Sequence, residues 1–264
     1  MPPDLYFALT LIVKMAITAG FVLAATITAE RAGPLVGALV ATLPLGAGPV
    51  YVFLALDHDA HFIAASAVNS LAVNTVNAIF ALVYALLAQK RPLAISVPVA
   101  LLVWFVLAWI VHEIHWTLLE ALLVNVVVLG VCIPLARPLR HVRMPPFHAQ
   151  WTDLAMRAAL VALLVGITVT FSFQLGAGGS GILAVFPVIL LSIMYILQRR
   201  VGGKPAAAVL ANAPLGLVGF AGGALVLHFA AEPLGSAIGL ALALTTSVGW
   251  SLVVLLARRH GVDV

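Results

Sequence analysis

The chain has 264 residues, 64% of them hydrophobic and only 8% charged, with a formal net charge of +4 and a mean hydropathy of +1.19. Soluble domains carry about 25% charged residues, so there is too little polar surface here to cover a water-soluble globule of this size. Composition excludes that class and leaves an all-α integral membrane protein in contact with a lipid bilayer.

The opening "MPPDLYF" has no basic n-region, so no cleavable signal peptide is expected and the first apolar run stays as a helix. With about twenty apolar residues needed per crossing, nine stretches qualify. They fall near 5–28, 33–56, 62–88, 93–112, 117–136, 153–174, 177–198, 205–228 and 235–257.

Segment 1 carries Lys14 about ten residues in, some 15 Å from its end at about 1.5 Å per residue. A charge at such depth costs roughly 2.5–3.5 kcal/mol, which suits Lys14 to a coupling proton or an anionic substrate. No acid lies at comparable depth in segments 1–3, and Glu120 in segment 5 is the nearest candidate by depth.

Segment 2 contains "GALVATLPLGAGP", residues 37–49, with two prolines and three glycines inside an apolar run. Proline removes a helical hydrogen bond and clashes with the preceding turn, so a bend or break is expected at Pro44. Gly46 and Gly48 let an unwound stretch approach a ligand. Segment 3 brings Asn69, Asn74 and Asn77, and Asn125 follows in segment 5 with the single cysteine, Cys132, which excludes an intrachain disulfide.

Segment 6 carries Arg157 near its end, segment 7 has Pro187 at its middle, and segment 8 contains Asn212. The break between segments 6 and 7, "LGAGGSG", is the weakest boundary because it holds no charge. Between segments 5 and 6 lies a linker, 137–152, with Arg137, Arg140, Arg143, His141 and His148, suited to an anionic leaflet.

Assigning the loops alternately to two sides sorts the charge. One side holds the N-terminus, "DHDAH", "HEIHW", "LGAGGSG" and "AAEPLGS", with no Lys or Arg. The other holds 11 of the 13 basic residues. The positive-inside rule makes that second side cytoplasmic, so nine crossings run from an external N-terminus to an internal C-terminus. The opposite face concentrates His58, His61, His112 and His115 beside Asp57, Asp59, Glu113 and Glu232. Imidazole and carboxylate suit Zn, Ni, Cu or Mn, so these four histidines are metal-ligand candidates, although no strict zinc motif is present.

Displacing the chain by 143 residues against itself aligns Lys14 with Arg157, Pro44 with Pro187 and Asn69 with Asn212. The alignment predicts two copies of a four-helix unit, residues 1–112 and 153–264, joined by helix 5 at 113–136 and the linker 137–152. One extra crossing inverts the second copy, a 4+1+4 inverted repeat of the kind that builds secondary transporters. Interrupted helices at matching midplane positions point to the substrate site. The expected site therefore gathers Lys14, Pro44, Gly46, Gly48, Asn69, Asn74, Asn77, Arg157, Pro187 and Asn212.

The stretch "GPLVGALVATLPLGAGPVYVF" resembles the second-helix signature of the GlpM-like family of small bacterial inner-membrane proteins. Gly37, Leu39, Val40, Leu43 and Pro44 carry the likeness, with Gly181, Phe186 and Pro187 in the second copy. The resemblance implies single four-helix units fused here as an inverted pair. Such a fusion is similar to the relation between small multidrug-resistance proteins and larger drug/metabolite transporters.

No phosphate loop, buried Ser/His/Asp set or intramembrane carboxylate dyad is present, so neither an enzyme nor a cofactor is expected, and nothing suggests nucleic acid. The expectation is a multi-pass transporter of the bacterial inner membrane, moving a small molecule, with an anionic metabolite favoured and a homodimer as a candidate assembly. The competing readings are a membrane enzyme or assembly partner without transport, and a divalent-metal transporter using the outer histidines.

Overall fold

In a computed structural model, residues 3–31, 46–140, 142 and 150–260 are described. Among them helix is the only regular structure. In chain order the helices are α1 (Pro3–Arg31), α2 (Ala47–Asp57), α3 (Ala60–Ala88), α4 (Leu93–His112) and α5 (Leu118–Ala136). After a 3-10 turn at Arg137–Leu139 come α6 (Trp151–Ala184), α7 (Val188–Val201), α8 (Gly203–Leu210), α9 (Ala213–Leu234) and α10 (Ser236–Arg259).

Seven helical stretches are long and apolar enough to cross a membrane, as expected of an all-α membrane protein. They do not map one to one onto the nine segments. Segment 2 contributes described helix only from Ala47, because Pro44 and the rest of 32–45 lie outside the described residues. Segments 6 and 7 join into one helical run, Trp151–Val201, of 51 residues, more than twice the roughly 20 that one crossing uses.

That run turns back on itself at the weak boundary. Gly176 interrupts α6 with φ 63° and ψ −173°, a backbone that favours glycine. Ser180 Oγ then donates to Ser172 O at 3.5 Å, so the arm 177–184 folds back along the helix it left. A second interruption follows at Val185–Pro187, where the chain leaves the helix before α7 begins. Segment 7 is thus broken at Pro187, as its sequence predicts.

The polar residues that start helices act locally. Asp59 caps α3 through Phe62 N at 2.8 Å. Thr117 and Glu120 form a capping box at α5, each accepting one amide that the first turn leaves free.

α3 forms the centre, buried on all sides, with α5, α6, α4 and α9 around it. Its many small residues, among them Ala64, Ala67, Ser70, Ala78, Ala81 and Ala85, let neighbouring backbones come close. The closest approach is Gly181 of the returning arm, where an added Cβ would stand 2.3 Å from Ser66 O. α1 lies against α6, α2 against α6 and α10, and α4 against α7. Large apolar side chains on the periphery, such as Leu102, Trp109, Leu119 and Val127, are exposed outward where lipid would cover them.

Candidate functional site: a cavity where interrupted helices meet

Breaking a helix in an apolar surrounding frees carbonyls that must find donors. Here side chains of other helices supply them. Asn77 Nδ2 donates to Val185 O at 2.8 Å, and Trp104 Nε1 donates to Asn77 Oδ1 at 2.7 Å, fixing the carboxamide. Tyr51 and Ser70 hydroxyls lie 2.7 Å apart, and Ser70 Oγ donates to Gly181 O at 2.6 Å. Asn74 Nδ2 donates to Asn125 Oδ1 at 2.8 Å and to Leu217 O at 3.1 Å, while Asn125 Nδ2 reaches Leu71 O at 2.5 Å.

At these breaks lies a cavity of about 110 Å³. Gly46, Ala47, Asn74 and Asn77 border it, and so do Ile189, Leu190, Leu217 and Phe220, the residues 143 positions further on in each case. Pro187 is on its wall. Four of the expected site residues therefore come together: Gly46, Asn74, Asn77 and Pro187.

Two further cavities adjoin it. A largely apolar groove of about 600 Å³ between α1, α2, α9 and α10 shares Ala47 and Phe220 with it and includes Gly48. On the other side, a groove of about 200 Å³ shares Leu190, Ala213 and Gly216 and reaches Arg258. Ala47 and Leu190, at the two junctions, stand 143 residues apart. The three spaces are strung from the histidine-bearing side of the helices to the arginine-bearing side.

Other expected members sit elsewhere. Lys14 is buried and lies 2.7 and 2.5 Å from the two carboxylate oxygens of Asp57, with the Phe53 ring 5.7 Å away. Its partner is therefore not Glu120, the nearest acid by depth, but Asp57, from the "DHDAH" break after segment 2. α2 stays helical through Asp57 and carries that carboxylate to α1, whereas Glu120 is exposed in its capping box. Lys14 therefore does not border the central cavity.

Asn69 and Asn212 do not line that cavity together either. Each turns its amide back to the carbonyl four residues earlier, Ala65 O at 3.0 Å and Ala208 O at 2.8 Å. Asn69 faces Gly178 and Gly181, and Asn212 accepts from Arg258 at 2.5 Å in the arginine-side groove. Arg157 Nε donates to Ser192 Oγ at 3.1 Å, between α6 and α7.

The four candidate metal ligands are dispersed. His58 stacks on Phe62 with centroids 3.8 Å apart, hydrogen-bonds Ser172 Oγ at 2.8 Å, and has its pKa lowered, chiefly by burial. His61 pairs with Glu232 at 2.8 Å. His112 and His115 lie at the far end of α4. Among the described residues no three His, Cys, Asp or Glu side chains gather as a metal would need.

Sequence reasoning missed a further interruption, at Ala211–Asn212 between α8 and α9. The signal was Pro214, which sits in the first turn of α9, where its missing N–H costs no helical hydrogen bond. α3, with Leu71 at the corresponding position, runs unbroken. Comparison with known protein families, with curated proteins and with solved structures gives no match.

Proposed function

We propose that this chain is a small-molecule carrier of the bacterial inner membrane, built from two inverted repeats and working by alternating access through the cavity at the helix breaks. The observation that carries this reading is the string of three cavities, whose middle member is bordered by four residue pairs 143 positions apart. Residues that meet their own counterparts lie near a pseudo-two-fold axis, and transport sites in inverted-repeat carriers lie there. The break at Pro187 and the donors that Asn77 and Ser70 supply to the carbonyls of Val185 and Gly181 beside it support it.

The proposed topology has nine crossings and an external N-terminus, with the GlpM-like units fused as an inverted pair. Reporter fusions at residues 90, 145 and 202 are expected to report cytoplasm, and one external report overturns the orientation.

Side-specific labelling tests the carrier itself. In a Cys132→Ser background, Gly46→Cys is expected to react with an impermeant maleimide added to either face of sealed vesicles. Protection from both faces sinks the reading in favour of a solid core.

A further inference from the structure

Three features of the central cavity bear on what it holds, given its reading as a carrier site. First, none of its described lining residues is ionisable. Lys14 and the partly buried Asp57 pair with each other elsewhere. Second, Asn74 is fully buried on the cavity wall and its Oδ1 has no hydrogen-bond partner, although its Nδ2 has two. Such an orphan acceptor is rare in a folded interior and calls for a donor. Third, α7 begins at the cavity. Val188 N is taken by Phe186 O and Leu191 N by Pro187 O, while the amides of Ile189 and Leu190 find no acceptor among the described residues.

We propose that the cavity binds an uncharged small molecule that carries both a hydrogen-bond acceptor, for the first-turn amides of α7, and a donor, for Asn74 Oδ1. The compounds that fit are small amides, ureas and hydroxylated neutrals. A cation finds no carboxylate there, and the carbonyls of Val185 and Leu217 already hold side-chain donors. An anion meets only the partial charge of a helix start and would be desolvated without a counter-charge. This replaces the anionic cargo that Lys14 suggested.

Two isosteric pairs separate charge from shape: acetamide against acetate, and urea against guanidinium. The full chain is reconstituted in phosphatidylethanolamine/phosphatidylglycerol vesicles, and protein-dependent flux is followed by stopped-flow light scattering. Flux of acetamide or urea is expected to exceed that of the charged isostere by about tenfold or more. It should disappear in Gly46→Leu, which fills the cavity from a position where an added Cβ comes no nearer than 3.7 Å to Ile189. Equal or faster flux of acetate or guanidinium overturns the neutral cargo and leaves the carrier reading standing. Absence of flux for all four probes also overturns it, and the maleimide experiment then decides separately whether the cavity opens to both faces.

Discussion

Asn74 donates a hydrogen bond to the carbonyl of Leu217, the residue that stands 143 positions after it. The same carboxamide holds Asn125, so one side chain on α3 joins α5 and α9 beside the cavity. Replacing it by leucine, of similar size, leaves Asn125 Oδ1 without its donor. An unsatisfied buried polar group costs about 1–3 kcal/mol. Asn74→Leu is therefore expected to lower the Tm of the detergent-solubilised protein, and an unchanged Tm would show that water replaces the lost bonds.

Gly181 and Gly46 predict opposite outcomes for the same substitution. An alanine Cβ at Gly181 would stand 2.3 Å from Ser66 O, a backbone atom that cannot move without displacing α3. Gly181→Ala is expected to destabilise by roughly 1–3 kcal/mol through overpacking. Gly46 has helical φ and ψ and an added Cβ would make only an ordinary contact, 3.7 Å to Ile189, so Gly46→Ala should be neutral in the same thermal assay. Equal effects would contradict the close approach of the returning arm.

Lys14 and Asp57 form the ion pair that ties α2 to α1. Asp57 is only partly buried, so removing one charge is expected to cost about 3 kcal/mol, the low end for breaking a buried pair. Lys14→Met and Asp57→Asn should each reduce stability, and the double variant should lose less than the sum of the two. Strict additivity in the double-mutant cycle would mean that the two charges do not interact.

His58 makes stability depend on pH. Burial lowers its pKa below 6.5 despite the flanking Asp57 and Asp59, which raise it, while Lys14 opposes them. A depressed folded-state value means that the unfolded chain binds the proton more readily. The contribution is complete above about pH 6.5 and is lost as pH falls through the folded value. Tm measured from pH 8 to pH 5 should fall at the acid end, and His58→Gln should reduce that slope. An identical slope in the variant would assign the acid sensitivity to other groups.

Residue composition alone determined that the chain belongs in a bilayer, because 8% charged residues cannot solvate a globule of this size. Local covalent chemistry also determined where helices fail. Proline at 187 ends an otherwise apolar run for reasons contained in its own ring, and the glycine-rich "LGAGGSG" supplies Gly176 for the reversal. Partnership was decided by the tertiary structure. Lys14 meets Asp57 across 43 residues, Asn77 meets Val185 across 108, and His58 and His61 are drawn to Ser172 and Glu232 rather than to each other. A side chain's depth along its own helix can be counted from sequence. Which face of which neighbour it meets depends on how α2, α6 and α9 rotate and tilt about α3, and close packing of the small residues along that central helix sets those angles.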